Sequence, residues 1–234
     1  AEAVYGALTG NYGGLTVSPL YTDGMVVQRN KPIVFRGIAN TGETVKVAFN
    51  GHTLSALADG AGKWKVSFPK QEAGGPYKAV ISTKKKKLTI KDIYVGEVWL
   101  CSGQSNMELP VSAVQSREQD LNEAEKQTRL HLFNMSAIYP TTSVSWSVGA
   151  CDSVNRHQYL RVGPWSNCTR ASLSGFSAVA YHFGKKLADS LQVPVGIICN
   201  AVGGTTTESW IDRHTLEQHV PSILHDWYHS DFGM

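Results

Sequence analysis

Short alternating runs dominate the first third of the chain. Between Leu15 and Asp92, β-branched and aromatic residues recur in segments 33–37, 44–49, 64–68 and 77–81, the pattern of strands with one face in a core. Asn50-Gly51 signals a tight hairpin, because both residues tolerate the positive φ such a turn demands. Asp59-Gly60 and Gly74-Gly75-Pro76 are further turn signals. These features predict an antiparallel β-sandwich over residues 13–92, preceded by a flexible, Gly-rich segment at 1–12.

The alternation stops after Asp92. Residues 93–100 form a nearly unbroken apolar run, which predicts a strand buried on both faces and the start of a second domain, 93–234. A short apolar run follows at 130–133. Val179, Phe183, Leu187 and Leu191 then recur every four residues, which places them on one face of a helix that Val193-Pro194 ends. Residues 195–199 read as a third buried strand. Strand, helix and strand in alternation predict an α/β unit with a parallel sheet covered by helices.

Composition narrows the class without choosing a chemistry. The 234 residues are 42% hydrophobic and 18% charged, within the ordinary range of globular proteins, and the net charge is +3. The basic run 84–87 lies between two apolar segments and reads as a solvated hairpin turn, so no nucleic-acid partner is expected. No apolar stretch approaches the roughly 20 residues needed to cross a bilayer, so no membrane partner is expected either. A start at Ala1, followed by small, polar and Gly-rich residues, fits a chain after signal cleavage or tag removal. The expectation is therefore an exported protein: secreted, periplasmic or lysosomal. Cys101 and Cys199 end apolar runs and read as buried thiols, whereas Cys151 and Cys168 bracket a polar segment and fit either a loop-closing disulfide or two free thiols.

Two loops carry candidate chemistry. Ser105 lies just beyond the first buried strand, in a Gly-containing turn followed by a helical stretch. Such turns expose a hydroxyl and offer backbone N–H groups to an oxyanion, and they also accept a serine as a plain helix cap. Ser102, closer to the strand, reads as structural. Asn200-Ala201-Val202-Gly203-Gly204-Thr205 follows the third strand in the same way. Ligands of open parallel sheets sit beyond the carboxyl ends of the strands, so the two loops are expected to converge. Paired glycines allow close backbone approach, to a reacting centre or to a phosphate, and also suit an ordinary tight turn.

The segment 96–108, with Gly103-Gln104-Ser105-Asn106-Met107 at its centre, closely resembles the nucleophile block of sialate O-acetylesterases, of the SGNH hydrolase superfamily. The resemblance extends to 176–181, to Val193-Pro194-Val195-Gly196, and to Gly203-Gly204-Thr205 followed by Glu208-Ser209-Trp210-Ile211. Upstream it takes in Met25-Val26-Val27-Gln28 and Gly74-Gly75-Pro76-Tyr77, and so covers nearly the whole chain. It implies a β-sandwich followed by the N-terminal portion of an SGNH-type, flavodoxin-like hydrolase domain. It also implies Ser105 as nucleophile, the Ser105 N–H as one oxyanion donor and Gly203 or Gly204 as another, with no metal or organic cofactor. The substrate implied is an acetylated sialoglycan or another acetylated carbohydrate, cleaved through an acetyl-enzyme.

The family's closing Asp-x-x-His block normally lies well beyond residue 234. Asp226-Trp227-Tyr228-His229 matches that spacing, but only about 22 residues after Gly204, too few for the intervening strands, and it reads as coincidence. The expectation is therefore an incomplete hydrolase domain whose histidine and aspartate lie outside these residues, on the same or on a second polypeptide. The alternatives are an esterase for acetylated xylan or another polysaccharide, and an inert carbohydrate-binding fragment in which Trp64 and Tyr77 stack on sugars. Arg117 and Arg213 are the candidate partners for a sialate carboxylate, with solvated surface roles as the alternative.

Overall fold

A computed structural model describes residues 14–138, 147–155 and 160–222, folded as mixed α/β. The first eight strands are β1 (Thr16–Val17), β2 (Val26–Gln28), β3 (Pro32–Ile38), β4 (Thr44–Phe49), β5 (His52–Leu57), β6 (Lys63–Lys70), β7 (Gly74–Ser82) and β8 (Lys87–Gly103). There follow α1 (Ser105–Glu108), α2 (Arg117–Glu123), β9 (Leu130–Ala137), α3 (Val148–Asn155), β10 (Leu160–Val162), β11 (Ser166–Asn167), α4 (Arg170–Ser174), α5 (Ala178–Leu191), β12 (Val195–Ala201) and α6 (Arg213–His219). One sheet has three strands in the order β1-β3-β6. The other runs β10-β9-β12-β8-β7-β4-β5, with β11 beside β9 and β2 beside β8.

The alternating segments become strands as their period requires. In β4 and β6 every second residue is buried, and Val45, Val47, Phe49, Trp64, Val66 and Phe68 all point into one core. Phe49 of the larger sheet meets Phe35 and Phe68 of the smaller one, with ring centroids 5.4 and 5.6 Å apart, so the two sheets share that core. Asn50 and Gly51 form the β4–β5 turn with φ of 45° and 77°, and the exposed lysines at 84–87 join β7 to β8. Gly74-Gly75-Pro76, in contrast, is no turn. It begins β7, where the register against β8 shifts, because proline gives up a ladder hydrogen bond without ending an extended run.

β8 runs unbroken through the point where the sequence pattern changes, with Asp92 at φ 52° as a local irregularity. Its first half pairs with β7, and its second half pairs in parallel with β12, which also pairs in parallel with β9. The third of these strands along the chain is therefore central. A flavodoxin-like order would place the first strand between the other two.

Helix α5 forms where expected but presents a different face. Ala180, Tyr181, Gly184 and Ala188 are buried, whereas Val179, Phe183 and Leu191 are largely exposed. Beside Tyr181 the residues on that face are small because the helix lies directly on β12: a Cβ at Gly184 would sit 2.7 Å from Ile197 Cγ1. All four cysteines are free thiols, so Cys151 and Cys168 form no disulfide; Cys151 is exposed and Cys168 buried. No described helix is long and apolar enough to cross a membrane.

His131 on β9 is a buried histidine with no hydrogen-bond partner for either ring nitrogen, and its ring lies against Tyr94 at a centroid distance of 4.3 Å. Burial pushes its pKa down from 6.5 to about 4. The unfolded chain therefore binds this proton more readily, and the stability it contributes is full above pH 6.5 and lost as pH falls toward 4. Over that window His131 should account for about 3 kcal/mol of lost stability. Urea unfolding between pH 7 and 4.5 should show a shallower decline in His131→Leu than in the parent.

Candidate active site

The site is built by one stretch of parallel ladder. Cys101, Ser102 and Gly103 of β8 stand opposite Cys199, Asn200 and Ala201 of β12, so the loops that follow leave at the same level. The Val202 N–H donates to the Gly103 carbonyl at 3.0 Å and extends the ladder by one bond. Gly103 then turns the chain into α1 at φ 151°, a conformation that side-chain-bearing residues avoid.

Ser105 is exposed as the first residue of α1 and is not its cap. Gln104 is the N-cap, and its Oε1 accepts both the Ser105 N–H, at 3.3 Å, and the Ser105 hydroxyl, at 2.8 Å. The hydroxyl is thus left outside the helix's own bonding. Ser102 lies within β8, in the ladder.

The second loop reaches α1 as its glycines allow. The Gly203 N–H donates to Glu108 Oε2 at 2.7 Å, linking residues 95 apart in sequence. A Cβ on Gly203 would lie 2.5 Å from that oxygen and 3.9 Å from the Ser105 Cα, so a side chain there would displace the Glu108 carboxyl from this contact. Gly204 follows at φ 81°. Thr205 Oγ1 donates to the Val202 carbonyl at 2.8 Å and accepts the Trp210 Nε1–H at 3.0 Å, which pins the far side of the loop. Ser105, Gly203 and Gly204 are therefore brought together. Glu108 is the residue that sequence reasoning missed, although it closes the same four-residue helical turn that Ser105 opens.

Nearby thiols are poor rivals to Ser105. Burial raises the Cys101 pKa and pushes that of Cys199 up to about 11, so both stay protonated at neutral pH. Among the described residues no imidazole hydrogen-bonds to Ser105, and Asp226 and His229 lie outside them. A different serine–aspartate–histidine set does exist. Asp120 Oδ2 accepts the Ser116 hydroxyl at 2.6 Å and lies 3.3 Å from His182 Nε2. Here the carboxylate is in the middle, so the imidazole does not touch the serine whose proton it would take. Among the described residues no group of three His, Cys, Asp or Glu side chains converges as metal ligands.

The remaining candidates sit away from this chemistry. Arg117 and Arg213 lie on exposed helical surfaces, next to Glu118 at 3.9 Å and Glu217 at 2.6 Å respectively. Trp64 is buried against Gly37, and Tyr77 packs edge-on to Phe49, so core packing accounts for both aromatics.

The profile of the family described as carbohydrate esterase, sialic acid-specific acetylesterase, matches residues 95–225, which take in α1, β12 and both loops. The chain belongs to this family. Among relatives, mouse sialate O-acetylesterase is 27% identical over 84% of this chain, and the human enzyme is 25% identical over 87%. The crystal structure of a carbohydrate acetylesterase from Xanthomonas citri superimposes with a TM-score of 0.73 at 33% identity, covering 87% of this chain. The chain spans 38% and 40% of the two mammalian relatives and 44% of the bacterial one. In this sialic acid-specific acetylesterase family member, the profile-matched region carries Ser105.

The Glu108–Gly203 bond is exposed, so it should govern local order more than global stability. Glu108→Ala should speed amide exchange at Gly203 about tenfold, with a change of less than about 1 kcal/mol in unfolding free energy. Hydrogen-exchange mass spectrometry of the 200–206 segment reads both loops' coupling directly.

Proposed function

We propose that Ser105 is the nucleophile of an acetylesterase acting on O-acetylated carbohydrates, sialic acids among them. In this reading residues 13–92 are the β-sandwich of the family and 93 onward is the N-terminal portion of its SGNH-type hydrolase domain. The observation that carries it is the convergence of Ser105 and the Gly203-Gly204 loop at the carboxyl ends of paired parallel strands, inside the family-matched region.

In the reaction, Ser105 Oγ attacks the acetyl carbonyl carbon and its proton passes to a base. The carbonyl oxygen becomes an oxyanion, received by the Ser105 N–H, whose present bond to Gln104 is long at 3.3 Å, and by the Gly203-Gly204 loop. The Gly203 N–H now donates to Glu108 Oε2 at 2.7 Å, so in this reading it receives the oxyanion only when the Glu108 carboxyl swings away. Collapse of the tetrahedral intermediate expels the sugar oxygen, which takes up the proton. Water, deprotonated by the same base, then attacks the acetyl-enzyme to release acetate and regenerate Ser105. The base is assigned to a histidine held by an aspartate in the part of the family's length that this chain does not span, whether on the same polypeptide or on a second one.

Substrate breadth follows from the charges around the site. Arg117 and Arg213 are next to Glu118 and Glu217, which supports a class defined by the acetyl ester and the sugar rather than by a carboxylate clamp from those two residues. The buried position of Trp64 argues against the stacking platform that an inert glycan-binding fragment would need.

A serine-directed fluorophosphonate should label Ser105 in a polypeptide that contains this chain together with the aspartate–histidine segment, as read by peptide mass spectrometry. Ser105→Ala should abolish labelling and reduce acetate release by about a thousandfold or more. Labelling elsewhere, or none in an active assembly, rejects the assignment. Parallel assays on O-acetylated sialic acid and acetylated xylan decide the sugar.

A further inference from the structure

Charge is divided unevenly along the chain. Residues 13–92 carry 13 lysines and arginines against 5 aspartates and glutamates, a net charge of +8, whereas 93–234 carry 9 against 13, a net charge of −4. The β-rich part is thus strongly basic, which the overall charge of +3 conceals. Its lysines also share a face. Val45, Val47, Ala79, Ile81 and Ile90 point into the core, so Lys46 of β4, Lys78 of β7 and Lys87 and Lys91 of β8 stand on the outer side of the larger sheet. Lys46 pairs with Ser82, and Ser82 with Lys87, so one row across the sheet carries two ammonium groups about 10 Å apart. Lys84, Lys85 and Lys86 extend the patch at the β7–β8 turn.

The chain's own packing does not account for this arrangement. Among the described residues none of these seven lysines forms an ion pair. Of the acidic groups bordering the patch, Asp23 accepts the Lys91 backbone N–H at 2.7 Å, and Glu43 accepts the Asn40 side-chain amide at 2.8 Å. β4, β7 and β8 are interior strands, and the edge strand β5 carries no lysine, so these side chains are not protection of an edge against mispairing. Like charges on neighbouring interior strands cost stability, and an anionic ligand would recover it.

We propose that this lysine face, Lys46, Lys78, Lys87 and Lys91 with the 84–86 turn, binds a carboxylate-bearing polysaccharide. The choice of a carbohydrate rests on the esterase reading; the capture of a polyanion does not. Between the lysines stand Ser55, Ala48, Val80, Ser82 and Thr89, small side chains that offer hydroxyls to a sugar and no ring on which a nucleobase could stack. Leu57, exposed at the margin, is a single apolar side chain, too little to hold a bilayer. Lys91 and Gly103 lie 12 residues apart on one strand, at most about 40 Å. A ligand that reaches from the face to the Ser105 turn is therefore a chain and not a single sugar. Arg117 and Arg213 sit beside Glu118 and Glu217, so a preference for acidic glycans would be set by this surface, away from the ester.

Calorimetry of this chain with polysialic acid and with polygalacturonic acid should show binding to at least one of them, weakening as salt is raised, and none to neutral xylan. Which acidic polymer binds names the sugar. The triple variant Lys46→Gln, Lys78→Gln, Lys87→Gln should bind at least about tenfold more weakly. Removing the same charge from β6 of the smaller sheet, by Lys63→Gln, Lys65→Gln and Lys70→Gln, should leave affinity within about twofold of the parent, because solvent and salt screen charges on the far face. All six lysines are exposed, so both variants should keep the parent's unfolding midpoint. Ser105→Ala should bind as the parent does, so glycan binding without fluorophosphonate labelling would reject the esterase reading and leave the basic face intact. No binding of either acidic polymer, or equal weakening in both triple variants, would overturn the proposal. So would tighter binding of single-stranded DNA or of phosphatidylserine-containing vesicles through the same lysines, by making the occupant a nucleic acid or a membrane.

Discussion

The structure depends on one strand serving two assemblies. β8 is 17 residues long; its first half closes the antiparallel sheet with β7, and its second half opens the parallel one with β12. The core follows the same continuity, since Phe133, Met135 and Trp165 from the later part of the chain are buried with Phe35, Phe49 and Phe68 from the earlier part. β2 reinforces the junction from the side. It pairs in parallel with Tyr94, Val95 and Gly96, and the adjacent Arg29 holds Glu97 at 2.6 Å, a hydrogen bond that lowers the Glu97 pKa. Ser105 therefore stands at the end of a strand whose other end is anchored in the β-rich half. A site held on such a strand inherits its rigidity, which is what oxyanion donors need if they are to be in place before charge develops.

What the sequence made legible was local. Period-2 alternation located β3, β4, β6 and β7, and Asn50-Gly51 the hairpin turn after β4, because strand periodicity and turn chemistry are written within a few residues. The loops after β8 and β12 could be paired in advance because parallel strands share a polarity. The misreadings came from tertiary contacts that no local pattern records. The large side chains at 179, 183 and 191 looked like the inner face of α5, but contact with Ile197 favours Gly184, and the helix turned Gly184, Ala180, Ala188 and Tyr181 inward. Cys151 and Cys168 had a spacing that suited a bridge, and spacing alone carries no information about Cβ geometry. Glu108 escaped notice for a related reason: its partner is a backbone N–H 95 residues away, and backbone groups leave no mark in a sequence.

The site's two halves differ in how far this chain prepares them. On the electrostatic side, N–H groups at Ser105 and Gly203 are already aimed at oxygen acceptors and are fixed by the ladder, by Gln104 and by Glu108. On the proton-transfer side, the Ser105 hydroxyl donates to a neutral amide oxygen, which orients the group but cannot take its proton near neutral pH. Among the described residues the exposed hydroxyl is thus oriented but has no imidazole hydrogen-bonded to it. The same asymmetry appears in packing, because the open edge of β8 begins at Leu100 and ends beside the turn that carries Ser105. A group seated on that edge would therefore lie next to the Ser105 hydroxyl. The constraint responsible is again β8, whose register fixes both the open edge and the serine.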